Sequence, residues 1–150
     1  MILSRTSKYA IRALIYIATK PSGEAILNRT IAKELGVPPT YLAKILQNLC
    51  KFNLLESYRG NQGGFCLKRN GNKINLLEII RVTEGPKLQE ECILGFKECS
   101  DKNPCLMHAQ WAPIIQEILK LLQDRDLEFL ASEVQSGKKL VSDFPDSLNK

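Results

Sequence analysis

Residues 31–49 read IAKELGVPPTYLAKILQNL, and residues 54–68 read LLESYRGNQGGFCLK. In the first stretch a short helix is predicted over about residues 29–35. Asn28 or a neighbour is its N-cap, and Ile31, Ala32 and Leu35 face inward. Gly36 closes it, since glycine accepts the left-handed backbone that a tight turn needs. A second helix starts at Pro38-Pro39, where a missing N–H does no harm. Its inward face is Leu42, Ile45, Leu46 and Leu49, spaced i, i+3, i+4, i+7. Two short helices across a glycine turn read as a helix-turn-helix. In the second stretch, residues 54–59 are a strand, Gly60 to Gly64 a flexible tip, and Phe65 to Lys68 the return strand. A β-hairpin directly after a helix-turn-helix is a wing.

The flanking sequence supports this fold. Tyr9, Ala10, Ala13, Leu14, Ile17 and Ala18 make a helical stripe over residues 7–20, widened by Ile11 and Ile15. Residues 76–84 form another helix, stopped by Gly85-Pro86. Residues 87–106 show no sustained periodicity and hold Gly95, Pro104 and three cysteines, the composition of a functional loop. A long helix then begins at Met107 with Pro113 in its first turns. Asp126 caps a further helical piece with Leu127, Leu130 and Val134 inward. The fold class is therefore mainly α with a small β wing. Residues 1–86 make the winged helix-turn-helix domain and 87–106 the cysteine loop. Residues 107–135 make a dimerisation helix plus a C-terminal helical segment, and 136–150 are a flexible tail.

The seam Trp111, Ile114, Ile118 and Leu121 needs a partner. It either folds back on residues 7–20 or pairs with the same helix of a second chain, and the dimer is expected because readers of palindromic DNA are commonly two-fold.

Charge points to the same partner. The 150 residues carry a net +5 with 44% apolar and 25% charged residues, a globular composition that excludes collagen and wholesale disorder. Residues 1–86 hold thirteen basic and five acidic residues, whereas 87–150 hold eight basic and eleven acidic. A basic first half suits a polyanion, although a solvated basic surface would have the same composition. No run approaches a membrane helix, and the first residues lack the apolar core of a signal peptide. The expected location is cytoplasmic, with no membrane partner.

If Leu42, Ile45, Leu46 and Leu49 face the core, then Thr40, Tyr41, Lys44, Gln47, Asn48 and Lys51 face outward. They are candidates for phosphates and base edges of double-stranded DNA. On the wing, Arg59 is flanked by Gly60, with Gly63 beyond, and is long enough to enter a narrow minor groove. The blander alternative is that these residues coat a helix and a turn.

Five cysteines, an odd number, argue against a disulfide framework. Cys92, Cys99, Cys105 and His108, the only histidine, lie within seventeen residues. Thiolates suit zinc or iron–sulfur clusters, and imidazole can be a fourth ligand. The spacings are wider than the Cys-x2-Cys knuckles usual for structural zinc. Cys105 and His108 are expected on one face at the start of a helix. Cys50 and Cys66 read as small buried residues. An enzyme is disfavoured: no phosphate-binding glycine loop is present, and a hydrolytic triad would need His108, which the cysteines claim.

These residues together resemble the Rrf2 family of winged-helix bacterial regulators, which includes the IscR and NsrR types. The resemblance runs over about residues 1–135. It is carried by Leu3 to Leu14, by Tyr41-Leu42 with Leu46 and Leu49, by Ser57-Tyr58-Arg59-Gly60 with Gly63-Gly64-Phe65, and by Cys105-Leu106-Met107-His108. It implies a homodimer on a pseudo-palindromic operator. It also implies a 2Fe–2S cluster on Cys92, Cys99, Cys105 and His108, as in the IscR type, with a 4Fe–4S cluster or zinc as alternatives. The implied role is control of iron–sulfur assembly genes. A nitric-oxide- or redox-sensing regulator, or a DNA-binding protein with structural zinc, is the alternative. Lys8 stands where the NsrR type can offer an acidic ligand. Six residues separate Cys92 from Cys99 where the IscR type has five, and Ala43 replaces an acidic residue.

Overall fold

The structure is a computed structural model and describes residues 2–137. The expected flexible tail therefore lies, from residue 138 onward, outside the described residues. The chain forms α1 (Arg5–Ala18), α2 (Asn28–Leu35), α3 (Pro39–Lys51), β1 (Leu55–Tyr58), β2 (Gly64–Leu67), a 3-10 turn (Gly71–Lys73) and α4 (Leu76–Glu84). A single turn α5 (Lys87–Glu90) and the helices α6 (His108–Gln123) and α7 (Leu127–Gln135) follow. It is the mainly helical architecture with a small wing expected from the sequence.

The turn between α2 and α3 is built as the glycine suggested. Gly36 has φ +67°, its N–H donates to Lys33 O, and the Val37 N–H donates to Ala32 O at 2.9 Å. These two bonds satisfy the last carbonyls of α2, and Val37 is buried against the core. Asn28 is not the N-cap. Leu27 precedes the helix without a side-chain cap, and Asn28 Nδ2 donates instead to Pro39 O at 2.8 Å. That bond ties the start of α2 to the start of α3 and fixes the angle between them.

β1 and β2 pair antiparallel, with Leu55 opposite Leu67 and Tyr58 opposite Gly64. Ile26 adds a one-residue third strand: its N–H donates to Phe65 O at 2.9 Å, and the Phe65 N–H returns a bond to Ile26 O at 2.8 Å. The wing is thereby anchored to the chain that precedes α2.

Leu14, Ile31, Leu35, Leu42, Leu46, Leu49, Leu54, Ile74 and Ile79 are fully buried in one core between α1, the helix-turn-helix and the wing base. Leu127 belongs to this same core, because α7 packs on α1. The main packing partner of the long helix α6 is α4 rather than α1. There Leu77, Ile115 and Leu119 form a second, smaller core flanked by Leu88, Trp111, Ile118 and Leu122. The third cysteine also differs from expectation. Cys105 lies in the loop before α6 rather than on the helix, and its carbonyl accepts the His108 N–H at 3.1 Å.

Candidate nucleic-acid interface and metal centre

The outer face of α3 carries Thr40, Lys44, Gln47 and Lys51, all exposed, with Asn48 half-buried. Tyr41 is different. Its hydroxyl lies 2.9 Å from Thr6 Oγ1 and its ring meets the Tyr9 ring edge-on at 5.7 Å between centroids. Tyr41 thus joins α3 to the first turn of α1. Arg59 and Gly60 are exposed at the wing tip, where Gly60 has φ +96°. Gly63 is buried inside the turn. A Cβ on it would sit 2.4 Å from Tyr58 O, and its N–H donates to Gly60 O at 2.9 Å. Its value is to let the hairpin close, which the run of glycines could have signalled.

The second site is the loop between α5 and α6. The sulfurs of Cys92, Cys99 and Cys105 all lie within 4.8 Å of one another, with Cys92 and Cys105 3.4 Å apart. His108 completes the group, its Nδ1 3.2 Å from Cys99 Sγ. Its Nε2 is 2.8 Å from Asp101 Oδ1. An ionised carboxylate only accepts, so Nε2 carries the proton, and in the neutral ring the Nδ1 lone pair points at the thiols. A carboxylate holding the far side of a ligand imidazole is a common outer shell of metal sites. Asp101 had no signal in the spacing, since it depends on how the loop turns. That turn is closed by Ser100 and Asn103, which exchange backbone hydrogen bonds at 3.2 and 3.1 Å.

The four donors fit a thiophilic metal centre. Desolvation opposes the Cys92 thiolate, but the N–H groups of Phe96 and Leu94 and the thiols of Cys105 and Cys99 stabilise it, and its pKa falls to about 7. Cys99 accepts the Cys105 N–H, which favours its thiolate. Desolvation and the neighbouring thiols outweigh that and push it up. Several thiols crowded so closely cannot all ionise cheaply without a cation among them. A cleft of about 510 Å³, lined in part by Phe96, Cys99, Asn103, Pro104, Cys105 and Leu106, opens beside the sulfurs. By contrast, burial pushes the Cys50 and Cys66 thiols up. Cys66 is buried as expected, whereas Cys50 is only half-buried against the core.

The family profile described as Rrf2, iron-dependent transcriptional regulator, matches residues 3–133. This chain belongs to the Rrf2 family. It is a transcriptional regulator by family. An HTH-type transcriptional regulator named in Mycobacterium tuberculosis is 37% identical over 86 residues, which are 57% of this chain and 53% of that protein. The chain thus spans about half the length of that relative. NsrR of Bacillus licheniformis is 34% identical over 107 residues, 71% of each chain. IscR of Xenorhabdus nematophila is 28% identical over 130 residues, 87% of this chain and 79% of that one. Among solved structures, the global cysteine regulator CymR of B. subtilis superposes with TM-score 0.74 at 26% identity, covering 87% of this chain and 95% of that one. IscR of T. potens superposes with TM-score 0.73 at 23% identity, over 92% and 91%.

The expected dimer seam is divided. Trp111 and Ile118 are half-buried on α4, whereas Ile114 and Leu121 are 51% and 57% exposed. Among the described residues, no helix is long and apolar enough to cross a membrane.

Proposed function

We propose that this Rrf2 regulator is a homodimeric, cytoplasmic repressor or activator that reads an operator with α3 and the wing and senses iron–sulfur cluster status through Cys92, Cys99, Cys105 and His108. The observation that carries the reading is the convergence of three sulfurs within 4.8 Å with the His108 Nδ1 3.2 Å from Cys99. When bound, a 2Fe–2S cluster supplies a redox-active, ligand-labile centre whose presence reports iron and oxidant supply. The chain's own part is mechanical and electrostatic. The N–H groups of Phe96 and Leu94 hold Cys92 ready as thiolate, and Asp101 holds the His108 ring in its ligating tautomer. Holding the four donors together also orders residues 92–108 and the start of α6.

On the DNA side, Lys44 and Gln47 face the major groove, with Thr40 beside them for phosphate. Arg59 and Gly60 reach the adjacent minor groove, whose negative potential deepens where it is narrow. Ile114 and Leu121 lie on the face of α6 turned away from α4, and a second copy would cover them. The genes expected under control are those of iron–sulfur assembly.

Anaerobic purification tests the cluster. Visible absorption with iron and sulfide in equal amounts is expected. His108→Ala should leave a cluster with altered paramagnetic resonance and a shorter life in air, and each Cys→Ala change should abolish it. A His108→Ala protein with the wild-type spectrum and lifetime would overturn the ligand assignment. A second reading has one observation in its favour. Two thiolates on a single tetrahedral zinc sit about 3.8 Å apart, given Zn–S bonds of about 2.3 Å, and Cys92 and Cys105 are already 3.4 Å apart. A colourless protein with one zinc per chain would establish that reading instead.

A further inference from the structure

Ser7 is the one buried polar or charged residue of the described core, with no exposed surface. Such a hydroxyl needs partners, and it finds them on α4. Its Oγ donates to Glu84 Oε1 at 2.6 Å and lies 2.5 Å from Thr83 Oγ1. The same Glu84 oxygen accepts the Ser4 N–H at 2.5 Å. Ser4 is the N-cap of α1 and accepts the Ser7 N–H at 3.1 Å. Glu84 thus grips the first turn of α1 by two groups. Thr6, on that same turn, bonds Tyr41 of the recognition helix at 2.9 Å.

The other end of Glu84 leads to the thiols. Gly85, with φ +70° and ψ −156°, makes the corner after it, a conformation open almost only to glycine. α5 and the cysteine loop follow at once. α6, which begins at His108, leans on α4 through Ile115, Leu119 and Leu77. Everything that holds or loosens the cysteine arm therefore acts on α4, whose last residue is clamped to α1.

We propose that Glu84, Ser7, Thr6 and Tyr41 form a coupling bridge in which the position of the cysteine arm sets the seating of α3 on DNA, with Tyr41 acting as a positioning residue rather than a base reader. The sensing half of this rests on the proposed cluster. The link between Glu84 and Tyr41 does not. In the bridge, Glu84 fixes the turn that carries Thr6, and Thr6 fixes the hydroxyl end of Tyr41. Releasing either end frees the first turn of α3 to shift.

The test is a double-mutant cycle on full-length protein: wild type, Glu84→Ala, Tyr41→Phe and the double variant. Ser7→Ala stands in should Glu84→Ala fail to fold. The probe is a duplex selected by the wild-type protein from a random-sequence library. Changes at residues without shared partners combine independently. The bridge instead predicts that each single change weakens binding several-fold and that the double change is no weaker than the worse single one. Amide exchange at the start of α3 should quicken in Glu84→Ala although the substitution lies on another helix. Cluster-loaded and cluster-free wild type should differ in affinity for the duplex, and that difference should shrink in each single variant while the visible spectrum persists. Multiplicative losses, with unchanged exchange in α3, would overturn the bridge and leave the cluster reading standing. A wild type without any cluster would overturn the sensing role of the arm, while the cycle would still decide the link from Glu84 to Tyr41.

Discussion

Gly64 has φ +131°, and a Cβ on it would lie 2.3 Å from the carbonyl carbon and oxygen of Ile26. Both facts follow from the one-residue third strand that pins the wing. Gly64→Ala should therefore cost on the order of 2 kcal/mol or more, since backbone strain and overpacking each contribute about 1–3 kcal/mol. Urea unfolding should show a lower midpoint with an unchanged slope. The neighbouring tip is the contrast. Gly60 has open space around its missing Cβ, so only its φ of +96° resists substitution. At this scale the sequence was partly legible. The glycines announced a turn, and the four metal-ligand candidates announced themselves by type and spacing. The partners of Gly64, Asn28 and His108 did not, because Ile26, Pro39 O and Asp101 are met only after the chain has folded. Tyr41 is exposed, as its place on the helix suggested, but its contacts with Thr6 and Tyr9 had no signal for the same reason: helical periodicity gives a direction, not the neighbour waiting there.

α4 and α6 show what an element can hide. The apolar positions of α6 read as one seam, but 3.6-residue periodicity cannot say which half of a broad stripe is covered by the chain itself. Here Ile115 and Leu119 are the covered half, on Leu77, while Ile114 and Leu121 stay exposed. Ile115→Ala should destabilise the chain by about 2–4 kcal/mol, the usual cost of emptying a buried aliphatic site. Ile114→Ala should leave the stability of the single chain within about 0.5 kcal/mol but weaken self-association in sedimentation. α4 adds a pH-dependent clamp. Desolvation raises the Glu84 carboxyl, but Ser7, the Ser4 backbone and hydroxyl, and the charge of Lys87 outweigh it, so its pKa is lowered in the folded chain. A lowered folded value means that protonation favours unfolding. The contribution of Glu84 is complete above the ordinary glutamate pKa of about 4.3 and fades as pH falls through its lower folded value. Glu84→Gln should flatten the stability curve in that acid range and leave its shape near neutrality unchanged.

Over the whole molecule, the two cores and the two charge regimes do not share a boundary, because Leu127 joins the first core and Leu77 the second. The winged helix packs around α1 and α4 and recruits α7, while Leu77 of α4 makes a smaller core with α5 and α6. The return of α7 to the first core was not legible in the sequence. Leu127 carries no mark of its partner, and α7 is held by long-range bonds such as Leu127 N–H to Ile74 O at 3.0 Å. The charge division was legible, because counting needs no fold: residues 1–86 carry thirteen basic and five acidic side chains. That excess fixes how the protein should meet DNA. Each phosphate neutralised by Lys or Arg releases condensed counterion, so affinity falls with salt in proportion to the number of such contacts. Arg59 and Lys44 are exposed on two different elements, and the sequence reading sends one to the minor groove and the other to the major groove. Arg59→Ala and Lys44→Ala should each lower the slope of log affinity against log salt by about one if the lost contact was to phosphate. A base contact would instead cost about 1–3 kcal/mol on the selected duplex and relax preference at its own position. Titrations of the selected duplex and of a scrambled one over a range of salt separate the two outcomes. Arg59→Ala should lose discrimination at an A·T-rich step beside the half-site, because only a narrow groove rewards that charge. Wild-type slopes and wild-type discrimination in both variants would place the DNA elsewhere on the basic half.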